Sequence, residues 1–194
     1  MNRQYSRVTV IKLKPILAFV LLMGVLILLF TPSFWRSVYP IRYDSMIERE
    51  AAIMRVNPLL VAAVVRVESH FRDDDVSHAG AIGLMQLMPN TAMWVAAKIR
   101  IPGLKMADLA RPDINLRIGS WYLAYLIGYY HGHLAEAIAA YNAGPSRVDG
   151  WLTNRVWSGS TLTSYDIPVL ETRHFVERVM YTYGIFKRFY GTGN

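Results

Sequence analysis

The sequence predicts a mainly α-helical protein, a single compact domain with little or no sheet, preceded by one transmembrane helix. Three observations carry this. From residue 44 onward, apolar side chains recur at helical spacing and no convincing period-two alternation appears. Residues 15–35 form an apolar run without a charged side chain. Beyond that run lie roughly 150 residues, enough for one domain with a core of its own.

The amino end is the first element. Arg3, Arg7, Lys12 and Lys14 make residues 1–14 a basic arm with no acid in it. As a helix, the span from Pro15 to Trp35 would reach about 31 Å, close to the hydrocarbon thickness of a bilayer. A cleaved signal peptide is the competing reading. Thr31-Pro32-Ser33 is a poor cleavage site, however, and the span is long for a signal peptide. The expectation is a single-pass anchor in the cell membrane, with the basic amino end in the cytoplasm and the rest of the chain outside. Residues 36–43 read as a linker, and 44–191 as the outer domain.

The helices follow in order. Asp44 or Ser45 caps one that runs to about Arg55, with Ile47, Ala51 and Met54 on one face. Asn57-Pro58 is a sharp start, a capping residue followed by proline at the first helical position. That helix runs to about Phe71, and Arg72 to Asp75 read as loop. Gly80 and Gly83 mark tight turns, and Asn90 or Thr91 caps a helix to Lys98. Asp113 caps a long helix to about Tyr130, and a short alanine-rich helix spans Leu134 to Tyr141. Gly144-Pro145 stops the latter. Residues 151–168 read mostly as loop, and a last helix runs from Val169 or Thr172 to Tyr190 with Phe175, Val179, Tyr183 and Phe186 inward.

Charge and composition narrow the function. Of the net +7, the arm contributes +4 and the remaining chain +3. No basic run interleaved with aromatics appears, so nucleic acid is not an expected partner. There is no cysteine, which excludes disulfides and thiol chemistry. His70, His78, His131, His133 and His174 form no metal-ligand pattern, and neither a nucleophile elbow nor a phosphate-binding glycine loop is present. No metal or cofactor is expected.

Glu68 is the candidate for chemistry. It lies late in the run P-L-L-V-A-A-V-V-R-V-E-S-H-F, with Val64, Val65 and Phe71 as helical neighbours. Apolar surroundings raise a carboxyl pKa, and a carboxyl protonated near neutrality can act as a general acid. Arg72 stands four residues on, so an ordinary surface ion pair is the alternative. Asp73, Asp74 and Asp75 offer a possible second carboxylate, although three consecutive acids after a helix are more often a solvated loop. The stripe Tyr122, Tyr125 and Tyr129 reads as core rather than as a sugar platform. Tyr141, at a helix end, is open to both a packing and a cleft role. Glu171 is either a helix-start acid or a second cleft carboxylate.

Four ordered segments then combine: Val67-Glu68-Ser69; Gly80-Ala81-x-Gly83-Leu84-Met85-Gln86-Leu87-Met88-Pro89; Ala140-Tyr141-Asn142-Ala143-Gly144-Pro145; and Glu171-Thr172-Arg173 with Val176. Together they resemble the catalytic domain of the soluble-lytic-transglycosylase family, a branch of the lysozyme-like superfamily, over about residues 44–190. The resemblance implies a lysozyme-like helical domain that cleaves bacterial peptidoglycan strands between N-acetylmuramic acid and N-acetylglucosamine and leaves 1,6-anhydro ends. It makes Glu68 the single acid/base, and implies that Ser69, Gln86, Met88, Tyr141, Asn142 and Glu171 line or support the glycan cleft. One departure is Phe175, where the family often has tyrosine. Two rivals stay open: a hydrolytic lysozyme on the same fold, and an inactive wall-binding or scaffold protein.

Overall fold

The computed structural model describes residues 13–191, which fall into two compact units that divide after Pro40. Most of the basic arm, including Arg3, Arg7 and Lys12, lies outside the described residues.

The first unit holds α1 (Leu13–Leu29) and α2 (Pro32–Val38), bent by 69° at the break between them. The expected continuous helix over residues 15–35 is therefore a bent pair. Pro32 is the cause: it opens α2 and keeps Thr31 extended, at φ −81° and ψ 136°. Among the described residues, no single helix is long and apolar enough to cross a membrane, whereas the bent pair passes the same test together. No residue of α1 is buried.

The second unit is all helix: α3 (Asp44–Met54), α4 (Pro58–Ser69), α5 (Pro89–Lys98), α6 (Pro112–Tyr129), α7 (Leu134–Ala143), α8 (Pro145–Thr153) and α9 (Leu170–Tyr190). Two short 3₁₀ turns, Met106–Ala110 and Thr161–Asp166, join them. No strand occurs among the described residues; isolated bridges link Ile82 to Val76 and to Leu87. The mainly α, single-domain expectation holds.

The central element is α4. Its start is the expected one, with the Asn57 side chain accepting from Leu59 N at 2.9 Å ahead of Pro58. Leu60 to Val65 are all buried, and α4 packs chiefly on α9, which also covers α7. The helix ends at Ser69 rather than Phe71, because His70 and Phe71 both take left-handed backbone (φ 53° and 63°). From α3, buried Glu50 meets Arg49 at 3.0 Å and Arg117 of α6 at 3.2 Å, so this interior acid is paired.

One boundary is corrected. Pro145 does not simply end α7; it is the first residue of α8, which runs on to Thr153 through part of the expected loop. Proline has no N–H to donate, and the first turn of a helix needs none, so the same residue suits a start. Asp149 of α8 accepts from Tyr129, the last residue of α6, at 2.8 Å and from Tyr130 just beyond it at 2.9 Å, which ties the new helix in place.

Candidate active site

Glu68 occupies the last turn of α4, and the loop of residues 80–88 is pinned beside it from three helices. Ser69 Oγ donates to the Leu84 carbonyl at 2.8 Å. The Met85 N–H donates to Asn115 Oδ1 of α6 at 2.8 Å. Tyr141 Oη of α7 donates to the Met85 carbonyl, also at 2.8 Å. Both polar groups of one loop residue are thus held by side chains from different helices.

Asn115 is fully buried, and its amide also donates to the carbonyls of Ile82 and Leu109, at 2.9 and 2.8 Å. Each of these side-chain bonds fixes backbone of the loop or of the 3₁₀ turn, and the one to the buried Met85 N–H satisfies a donor cut off from water. Gly83 turns at φ 79°, and a Cβ there would overlap the Asn115 amide and the Leu109 carbonyl. Gly119 leaves room in the same way for the Met85 side chain on α6.

Of the expected site residues, Ser69 takes the supporting part. It is fully buried and bonds only to backbone, so it fastens α4 to the loop rather than facing a ligand. Gln86 sits at φ 44°, with its amide nitrogen donating to the carbonyls of Asp75 and Gly83, both at 3.0 Å; its oxygen is the atom left to offer. Met88, 43% exposed, stands at the N-cap position of α5 without a side-chain capping bond. Asn142 accepts from buried Thr172 Oγ1 at 2.6 Å, which joins α7 to the start of α9, where exposed Glu171 stands. Phe175 stacks on the Tyr141 ring at 6.3 Å with an interplanar angle of 11°.

The Glu68 carboxyl makes no hydrogen bond or ion pair among the described residues, yet part of the residue remains accessible. Burial pushes its pKa up to about 8, Glu171 adds to the rise, and Arg178 opposes it. The Tyr141 hydroxyl is raised well above the usual tyrosine value by its own burial, with Glu68 and Tyr122 adding to it.

The alternative partners of Glu68 are engaged elsewhere. Arg72 Nη2 lies 3.0 Å from Asp75 Oδ2. Asp73 accepts from Tyr43 Oη at 3.1 Å. Asp75 thus holds Arg72 within the loop, and Asp73 ties the loop to Tyr43 ahead of α3. Among the described residues, no three His, Asp or Glu side chains gather as metal ligands would.

Sequence reasoning passed over Asn115 and Arg178. A lone asparagine between Ile114 and Leu116 in an apolar helix was the available signal for the first. Arg178, two turns beyond Glu171 on α9, carried none. The tyrosine stripe also needs correcting. Tyr125 and Tyr129 are 38% and 46% exposed; Trp94 of α5 covers Tyr125 only in part, and the ring neighbours of Tyr129 are Tyr125 and Tyr130.

A helical domain with a partly accessible acid of raised pKa at the end of its central helix fits the lysozyme-like class. The model of the transglycosylase SLT domain family matches residues 45–162, and the chain belongs to that family. The soluble lytic murein transglycosylase of Escherichia coli K12 is 32% identical over 154 residues, which are 78% of this chain and 24% of the relative. The membrane-bound lytic murein transglycosylase C of Actinobacillus pleuropneumoniae serotype 5b is 33% identical over 116 residues, 55% of this chain and 32% of the relative. Among solved structures, the 70 kDa soluble lytic transglycosylase of E. coli superposes with a TM-score of 0.76 at 31% identity, over 81% of this chain and 26% of that one. An inactive glutamate-to-glutamine mutant of the Pseudomonas aeruginosa lytic transglycosylase gives 0.70 at 33% identity, over 80% and 25%. The chain spans about a quarter of the length of the soluble relatives it matches.

Proposed function

We propose that the domain is a peptidoglycan lytic transglycosylase with Glu68 as its single acid/base, tethered to the membrane by the apolar pair α1 and α2. The observation that carries this is the state of Glu68, an accessible carboxyl without an internal partner, with a pKa pushed up to about 8. Its neutral form is the one a general acid requires. The relatives' names point to the same substrate, and one solved relative is inactive as a glutamate-to-glutamine mutant.

In this scheme Glu68 gives its proton to the oxygen of the bond between N-acetylmuramic acid and N-acetylglucosamine, and the bond to the muramic C1 breaks. The substrate's own N-acetyl oxygen shares the positive charge at C1, so no second carboxylate is needed. Ionised Glu68 then takes the proton from the muramic C6 hydroxyl, whose oxygen closes on C1. The product is a 1,6-anhydro ring, the acid is restored, and no water, metal or cofactor is used.

The tether reading rests on an apolar α1 with no buried residue, the basic arm ahead of it, and a relative described as membrane-bound. The amino end would stay in the cytoplasm, with the second unit on the outer side.

The test is mass analysis of fragments released from purified peptidoglycan by the chain and by its Glu68→Gln variant. Ends one water lighter than hydrolysed ends are expected from the first and none from the second. A predominance of reducing ends would replace this reading with a hydrolytic lysozyme. Unchanged turnover by Glu68→Gln would remove Glu68 from the chemistry.

A further inference from the structure

The apolar pair α1 and α2 has two readings: one span interrupted at Pro32, or an embedded helix followed by a helix on the membrane surface. We propose the second. α2 is an interfacial foot that lies along the lipid headgroup layer, with Phe34, Trp35 and Val38 toward the acyl chains and Ser33, Arg36 and Ser37 toward water.

The residues of α2 divide by side. Ser33, Arg36 and Ser37 stand three and four apart, so they share one face. Phe34 and Val38, four apart, share another, and Trp35 continues it toward Tyr39 at the end of the helix. The rings run as a row: Phe34 meets Trp35 edge-on at 5.6 Å, and Trp35 lies 6.1 Å from Tyr39. No residue of α2 is buried. By contrast, α1 is apolar all round from Pro15 to Leu29. A helix apolar on every side suits hydrocarbon, and an amphipathic one suits an interface. Tryptophan and tyrosine favour the headgroup level, where the ring body meets lipid and the polar tip meets water.

The bend leaves α2 little part in crossing. Its seven residues are about 10 Å long, and at 69° they add only about 4 Å along the axis of α1. The depth comes from α1, about 25 Å for its 17 residues. A bilayer accommodates a short segment by local thinning and by flanking charges that reach the interface, and Lys14 stands at the far end of α1.

The bend is also closed from within. The last four carbonyls of α1 all accept hydrogen bonds. Those of Leu26 and Ile27 share the Phe30 N–H, at 3.2 and 3.1 Å. Leu28 accepts from the Thr31 N–H at 3.0 Å and from Thr31 Oγ1 at 2.7 Å. Leu29 accepts from the Trp35 indole N–H at 2.7 Å. Acyl chains offer no hydrogen bond to an open helix end, so a turn finished by its own side chains fits the edge of the hydrocarbon. The inference rests on the membrane tether in the proposed function.

The test uses nitroxide labels. The chain has no cysteine, so each introduced one is the sole thiol. Full chains carrying Ser33→Cys, Phe34→Cys, Ser37→Cys or Val38→Cys, with Val20→Cys and Ile27→Cys in α1, are labelled and placed in phosphatidylethanolamine–phosphatidylglycerol vesicles. Collision with oxygen and with a water-soluble nickel chelate reports depth. Labels at 34 and 38 should lie within about 2 Å of one another in depth, as the bend requires, with those at 33 and 37 shallower and more open to nickel. A depth change of about 6 Å from 34 to 38 would restore the interrupted span and overturn the foot. Equal nickel access at all four positions would also overturn it. The unlabelled chain gives an independent reading. Lipids brominated near the headgroup should quench its tryptophan fluorescence more than lipids brominated near the chain ends, and this excess should vanish in Trp35→Phe. No excess would count against the foot. If the α1 labels sit in hydrocarbon while the α2 labels meet only water, the foot fails and the tether stands. If the α1 labels also meet only water, both fail.

Discussion

Tyr141 Oη donates its hydrogen bond to the carbonyl of Met85, 2.8 Å away, and not to Glu68. That one contact assigns two roles. The phenol proton is committed to the loop, so Tyr141 positions the site. Glu68 receives no hydrogen bond from it, and burial, with Glu171 adding, pushes the Glu68 carboxyl pKa up.

Turnover should therefore fail at the alkaline side. The neutral carboxyl is the active form in the first step, so kcat should be level below pH about 8 and fall tenfold per unit above it. Glu171→Gln removes a repelling charge and should move this limb to lower pH. Arg178→Met removes an attracting charge and should move it higher. A pH–rate profile for the three chains checks both directions. An acid-side limb near ~4.3, with nothing near 8, would contradict the raised acid.

Loss of the proton donor should be severe. Glu68→Gln should lower turnover by roughly 10²–10⁴-fold with the fold intact, as removal of a general acid does. Release of soluble fragments from purified peptidoglycan, set beside a circular dichroism melt, measures both.

The same substitution should stabilise the protein at high pH. The folded state holds the Glu68 proton up to about 8, whereas the unfolded chain releases it near 4.5. Between those values the native state binds more protons, so stability falls as pH rises through that window. Glu68→Gln escapes this loss and should be more stable than the parent by roughly 2–4 kcal/mol at pH 9, with little difference at pH 4. Urea midpoints at the two pH values decide it.

Asn115→Leu should cost about 3–5 kcal/mol, since it leaves the buried Met85 N–H and the Leu109 carbonyl without their partner and takes one of two donors from the Ile82 carbonyl. Gly83→Ala should cost about 2 kcal/mol or more, from a left-handed backbone and the overlap with Asn115 together. Denaturant unfolding gives both values.

Ser69→Ala removes the bond from α4 to the Leu84 carbonyl, and Tyr141→Phe removes the bond to Met85. Each should lower stability by about 1–2 kcal/mol. Both variants should keep some turnover with the alkaline limb still present, unlike Glu68→Gln, because neither removes the proton donor. Turnover measured across pH separates the positioning role from the acid.

Much of this protein could be read along the chain because its signals are local. Asn57-Pro58 opened α4 where its capping chemistry required, and the apolar periodicity of α6 and α9 gave their inward faces, Phe175 and Phe186 among them. Pro145 misled because a proline after glycine can end one helix and begin the next, and only packing chooses. The tyrosine stripe misled for a related reason. Helical spacing shows that Tyr122, Tyr125 and Tyr129 share a face, but not whether another helix covers it.

The sequence by itself determined an all-helical domain, an apolar amino-terminal run, and an acid set in the greasy helix that carries the ordered motifs. The tertiary structure decided the state of that acid. Arg72, one turn away, pairs with Asp75, while Glu171 and Arg178, about a hundred residues on, set the field at Glu68. A side chain's charge depends on what burial and folding bring within a few ångströms of it, and neighbours along a chain are only some of those groups.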